Sequence, residues 1–179
     1  MMSVLGIAGW SGSGKTTLLT RLLPLLRSRG LRVATLKHAH HSFDVDLPGK
    51  DSYVHRKAGA GEVIISSARR WVQMHEIGED GREATLPELL ARLSPCDLVL
   101  VEGFKRERYP KIEVFRSALG KPPLYAQDEL IVAIASDPLL SATPLPCAHL
   151  DDIPAVADLV VAKARPIDAV LETLVASVG

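Results

Sequence analysis

Gly9-Trp10-Ser11-Gly12-Ser13-Gly14-Lys15-Thr16 satisfies the pattern G-x-x-x-x-G-K-[ST], and Thr17 follows it directly. The pattern is a physical device. Glycines open backbone conformations closed to other residues and let amide groups approach an anion. Here Gly9, Gly12 and Gly14, with Ser11 and Ser13 between them, form a concave nest of N–H groups at the positive end of a helix. Lys15 is placed to reach β- and γ-phosphate oxygens, the Thr16 hydroxyl to ligate Mg²⁺, and Thr17 to donate to an α-phosphate. The loop reads as a nucleoside triphosphate site.

Its flanks agree. Ser3–Ala8 is a short apolar run that suits a buried strand. Beyond the loop, Leu18, Leu19, Leu22, Leu23, Leu25 and Leu26 make a wide stripe at helical spacing, ending near Gly30, with Pro24 expected to kink it. Arg32–Leu36 then predicts a second strand, completing a βαβ unit. Further strands are predicted at Val63–Ser66, Trp71–Ile77, Leu98–Val101, Ile112–Phe115 and Ile131–Ala135. A helix is predicted from a Thr85/Glu88 capping box to about Leu93, and another after Pro166, with Val170, Leu174 and Val178 on its apolar face. Pro138–Pro154 reads as an irregular connection. The expectation is an α/β, P-loop NTPase-type three-layer fold, a mostly parallel sheet flanked by helices, forming one nucleotide-binding domain over residues 1–179.

Composition bounds the function. Lys+Arg and Asp+Glu are both 21, so the 179-residue chain carries no basic field of the kind a general nucleic-acid binder uses. Hydrophobic residues at 47% and charged ones at 23% suit a globular core, which at 4% aromatics must be mainly aliphatic. Cys96 and Cys147 cannot make a disulfide framework and read as structural thiols. No apolar run approaches the ~20 residues of a membrane span. Met1–Ala8 lacks the basic start of a signal peptide, and the expectation is a cytoplasmic protein.

The chain has no asparagine, so the N-K-x-D guanine reader of switch GTPases cannot be present. Asp46-Leu47-Pro48-Gly49 spells D-x-x-G, but Lys50 stands where a switch GTPase carries glutamine. A substitute reader is Asp137, just past the apolar run from Ile131, whose carboxylate could accept from guanine N1 and N2. Glu102, at the end of Leu98–Val101, is the preferred second group on the Mg²⁺ side. Asp97, at the start of that strand, reads as a cap or a solvent-facing residue. Lys37 to Arg56 is dense in polar groups: His38, His40, His41, Asp44, Asp46 and His55. Asp44 or Asp46 could complete the Mg²⁺ shell, while the histidine spacing fits no standard zinc site.

These residues carry a resemblance. The loop GWSGSGKTT, the block LKHAHHSFDVDLPGKDSYVHRKAGA, the block DLVLVEGFK followed by PKIEVFR, and IVAIASD resemble the molybdopterin-guanine dinucleotide biosynthesis protein B family. The resemblance implies a homodimeric, GTP-binding adaptor with at most weak GTPase activity. It would assist the guanylyltransferase that attaches GMP to molybdopterin, with molybdopterin or its molybdenum form as a further partner. It puts Gly12, Gly14, Lys15, Thr16 and Thr17 on phosphate and Glu102 on the Mg²⁺ side. A small-molecule kinase, for which Arg106, Arg108 and Arg116 could supply charge, and a metallochaperone GTPase using His38, His40 and His41 are the alternatives. The loops His38–Arg56 and Lys105-Arg106-Glu107-Arg108 follow strand ends and are expected to line the mouth toward cofactor or partner.

Overall fold

The structure is a computed structural model that describes residues 1–39, 43–78 and 81–176. His40, His41 and Val178, named above, lie outside the described residues. The chain separates into two compact units, Met1–His38 with the chain from Leu86 onward, and Ala39–Thr85.

The larger unit is built on a sheet whose strands are β1 (Ser3–Ala8), β2 (Val33–Lys37), β5 (Leu98–Glu102), β6 (Lys111–Arg116), β7 (Ile131–Asp137) and β8 (Cys147–His149), in the order β2-β5-β1-β6-β7-β8. All these neighbours pair in parallel. A two-residue β9 (Arg165–Pro166) pairs antiparallel with β1. Alternation along the strands feeds two cores. Leu5, Ile7, Leu98, Leu100, Ile112 and Val114 face α1 (Lys15–Ser28) and α4 (Ile153–Lys163). Val4, Val99 and Val101 face α3 (Leu86–Ala91) and α5 (Ile167–Ala176). Helices on both faces of a mostly parallel sheet are what the sequence led us to expect.

Helix α1 brings Leu18, Leu19, Leu22 and Leu26 into the first core; Leu22 and Leu26 are fully buried, worth about 1.5–3 kcal/mol each. The helix continues through Pro24 to Ser28. It closes with Gly30 N–H on Arg27 C=O and Leu31 N–H on Leu26 C=O, the pairing of a Schellman turn. Two segments depart from expectation. The supposed irregular connection contains β8 and leads into α4, capped by Asp152, whose carboxylate accepts from Ala155 N–H at 3.1 Å. In the smaller unit, α2 (Asp51–Lys57) occupies what reads as a polar loop.

That smaller unit adds an antiparallel hairpin, β3 (Glu62–Ser66) with β4 (Trp71–His75). Pairing sets Val63, Ile65, Val72 and Met74 on one face and Ile64 and Trp71 on the other. Arg56 of α2, its side chain 10% exposed, donates to Asp44, Asp46 and Glu76.

Candidate functional site

Parallel pairing ends β1, β5 and β2 at one level: Ile7 and Lys37 both stand opposite Glu102. The phosphate loop leaves β1 there, with β5 on one side and β6 on the other, so the chain diverges to two sides of β1 at that point. Gly9 has φ 147°, and a Cβ there would come within 2.6 Å of both Ser13 Oγ and the Val114 carbonyl, so only glycine fits. Gly14, at the start of α1, has φ 96° and aims the first free N–H groups of the helix out of the loop. Lys15 Nζ donates to the Gly9 carbonyl at 3.0 Å and the Trp10 carbonyl at 2.9 Å, bent back along the rim of the loop. Burial pulls the Lys15 ammonium below its ordinary pKa. Glu102 opposes the shift, and Lys105 and Lys37 reinforce it. The ammonium thus sits partly buried between the Glu102 carboxylate and the Lys37 and Lys105 ammonium groups.

On the metal side, the Thr16 hydroxyl stands 3.4 Å from Glu102 Oε1, and Lys37 Nζ lies 3.9 Å from the same oxygen. A hydroxyl and a carboxylate side by side at the end of a parallel strand form a hard oxygen pair that suits Mg²⁺. Thr17 is exposed, and its carbonyl accepts from the Thr20 hydroxyl. Asp97, read as a cap or a solvent-facing residue, caps the start of β5: its carboxylate takes Arg32 N–H at 2.8 Å and the Arg32 guanidinium at 3.1 Å, which hold its pKa at about 2. Asp44 and Asp46 belong to the smaller unit, where both carboxylates are engaged by Arg56; that pairing holds Asp44 below the ordinary carboxylate range. Among the described residues no group of three or more His, Cys, Asp or Glu side chains is arranged to hold a metal. His38 packs against Phe104 with ring centroids 4.7 Å apart, and His55 sits exposed on α2. Cys96 and Cys147 are half-buried free thiols.

The other side of the loop brings the expected base reader Asp137 together with Arg116, which the sequence suggested only as charge for a kinase, and with His149, which it passed over. Register puts Arg116 opposite Asp137 and Ser136 opposite His149. Arg116 Nη1 donates to Asp137 Oδ2 at 2.6 Å, and its Nε donates to the Ser13 carbonyl of the phosphate loop at 3.0 Å. His149 Nε2 lies 3.7 Å from Asp137 Oδ1, while its Nδ1 accepts the Asp151 N–H at 3.1 Å. Asp151 in turn pairs with Arg21 of α1 at 2.5 Å.

The segment after β6 is fastened beside the loop. Trp10 Nε1 donates to the Pro122 carbonyl at 2.8 Å, and the buried Glu113 carboxylate accepts Leu124 N–H at 2.7 Å and Tyr125 N–H at 2.9 Å. Burial raises the Glu113 pKa, and those two N–H groups counter the rise. The alternation in Lys111-Ile-Glu-Val-Phe-Arg116 was the available signal. Lys111 and Glu113 share one strand face while Arg116 falls on the other, beside the phosphate loop, and each has found a partner. Arg108 of the basic loop is exposed and paired with Glu129 at 2.9 Å.

Comparison with known proteins follows the same outline. A family model described as molybdopterin guanine dinucleotide synthesis protein B matches residues 4–137. The molybdopterin-guanine dinucleotide biosynthesis adapter protein of Escherichia coli K12 is 47% identical over 166 residues, covering 90% of this chain and 93% of the relative. Its counterpart from Haemophilus influenzae is 43% identical over 159 residues, covering 88% and 86%. Among solved structures, a molybdopterin-guanine biosynthesis protein B superposes with a TM-score of 0.68 at 30% identity, covering 89% of this chain and 98% of that one. The Bacillus subtilis MobB structure gives 0.70 at 28%, covering 91% and 98%.

Proposed function

The chain belongs to the molybdopterin guanine dinucleotide synthesis protein B family, and from that premise we propose that it is a GTP-binding adaptor of molybdopterin guanine dinucleotide biosynthesis with at most weak GTPase activity. The observation that carries the nucleotide reading is the Thr16–Glu102 pair beside Lys15 at the end of β1 and β5. Bound Mg²⁺ would neutralise phosphate charge there, held on the protein side by the Thr16 hydroxyl and Glu102. Lys15 exchanges the carbonyls of Gly9 and Trp10 for phosphate oxygens, a gain of charge-assisted hydrogen bonds. The N–H groups from Gly9 to Thr17 hold the phosphates, and Asp137 accepts from the guanine edge.

Hydrolysis is slow because Lys50 follows the D-x-x-G sequence, and an arginine supplied in trans is typically worth ~10³–10⁵ in rate. Lys37, Lys105 and Arg106 form the basic rim for the phosphate of molybdopterin or for the guanylyltransferase. The outer face of the β3–β4 hairpin, with Ile64 62% and Trp71 61% exposed, supports a homodimer through that hairpin. No helix among the described residues is long and apolar enough to cross a membrane, which is compatible with a cytoplasmic site of action.

Isothermal titration with GTP, ATP and Zn²⁺, followed by a search for a phosphorylated small-molecule product, tests the reading. GTP binding in the presence of Mg²⁺, lost in a folded Lys15→Ala protein, is the expected result. Undiminished GTP binding by Lys15→Ala overturns the loop assignment, a phosphorylated product favours a kinase, and tight Zn²⁺ binding without GTP favours a metal carrier.

A further inference from the structure

A base-reading carboxylate selects a nucleotide only if its distance from the phosphate loop is fixed, because base and phosphates belong to one ligand. In this chain the tether cannot be an asparagine, since there is none. Arg116 occupies the position such a tether needs. It stands at the end of β6, between the strand that feeds the phosphate loop and the strand that ends in Asp137. One guanidinium makes both contacts: Nε to the Ser13 carbonyl at 3.0 Å, Nη1 to Asp137 Oδ2 at 2.6 Å. Its planar fork makes the span between them rigid, which a lysine ammonium cannot. A Cβ at Gly14 would meet Arg116 Nε at 3.4 Å, so the guanidinium also packs against the start of α1.

Asp137 keeps acceptor capacity. Its side chain is 43% exposed, and a carboxylate has about four lone-pair sites, of which Arg116 uses one. The next polar group, His149 Nε2, is 3.7 Å from Oδ1, too far for a strong hydrogen bond.

We propose that Arg116 is a specificity-positioning residue: it bridges the phosphate loop to Asp137 and so sets where the guanine edge is read. The inference rests on Asp137 as the base reader. It predicts that Arg116 and Asp137 act as one unit in guanine discrimination.

The test is the ratio of GTP to ATP affinity, measured by titration in the presence of Mg²⁺ for wild type, Asp137→Ala, Arg116→Ala, Arg116→Lys and the Arg116→Ala/Asp137→Ala double variant. Expected is a ratio narrowed about tenfold by Asp137→Ala and by Arg116→Ala, as for loss of a hydrogen bond to a charged group. The double variant is then no narrower than Asp137→Ala alone. Arg116→Lys, which keeps the charge and guards against a misfolded alanine variant, also stays narrowed. A ratio preserved in Arg116→Ala but narrowed in Asp137→Ala overturns the tether. So do equal losses of GTP and ATP, a multiplicative double variant, full rescue by lysine, or a ratio that widens because Arg116 competes with the base. A ratio unchanged in Asp137→Ala itself marks the failure of the underlying reading, and the tether falls with it.

Discussion

The two units are stabilised by different forces. In the larger one, Leu5, Ile7, Leu22, Leu100, Ile112 and Ile134 are at most 1% exposed, packed on both faces of one sheet. Among the described residues of the smaller one, Met74 is the one buried apolar side chain, α2 buries none, and order comes from the hairpin ladder and the carboxylates around Arg56. The difference has a physical consequence. Apolar burial is cooperative and insensitive to salt, whereas a half-exposed ion cluster is screened and a lone hairpin is marginal in water. The larger unit carries the phosphate-loop motif, and the smaller one is held by the forces that salt and local opening weaken most.

The contrast can be broken most directly in the larger unit. Leu100→Ala in β5 should lower global stability by about 3 kcal/mol, read as a reduced midpoint in urea. A loss below about 1 kcal/mol would mean that the sheet core is not what holds this unit. In the smaller unit, Ile64→Lys combined with Trp71→Lys should convert the proposed hairpin dimer to a monomer in sedimentation equilibrium while leaving thermal stability little changed. An unaltered mass shows that the hairpin is not the contact. Arg56→Ala should accelerate amide exchange across residues 43–78 and leave β1 and β5 protected. Equal acceleration in both units would erase the distinction.

The smallest effect concerns pH. The Asp97 pKa is depressed from 3.8 to about 2 by Arg32, so the pairing contributes fully above the unfolded value and is lost as pH falls through the folded one. The melting-temperature gap between wild type and Asp97→Asn should be constant near neutrality and close between about pH 4 and pH 2. A gap that persists at the acid end refutes the ion pair as its source.

What was legible in the sequence follows the same division. The strands Ser3–Ala8, Leu98–Glu102 and Ile131–Asp137 are apolar runs because both faces are covered, and such runs announce themselves. Helix α2 was not legible, since it buries no residue and so has no apolar stripe to betray it. Helix α4 was hidden by the proline-rich approach at Pro144, Pro146 and Pro154, although Asp152 with Pro154 is itself a helix-start signal. In the site, the phosphate loop was read from spacing alone, because its chemistry is local. Arg116 was noted only as a source of charge, and its bridging place was not legible, because it depends on strand order, which brings residues 13, 116 and 137 together from three separate segments. Glu113 was obscured for the same reason: a charge within a strand reads as solvent-facing until its two N–H partners are located.

The contact between Trp10 and Pro122 has an optical consequence. The chain has two tryptophans, and they fall one in each unit. Trp10 lies within the phosphate loop, its indole N–H on a carbonyl and the Lys121 ammonium 5.9 Å from its ring, whereas Trp71 is 61% exposed on the hairpin. Intrinsic fluorescence is therefore a two-channel signal. With Trp71 replaced by phenylalanine, emission would report the loop during the proposed nucleotide binding. With Trp10 replaced instead, any blue shift on concentrating the protein would report the hairpin leaving water, so the proposed nucleotide binding and association could be timed against each other without any attached label.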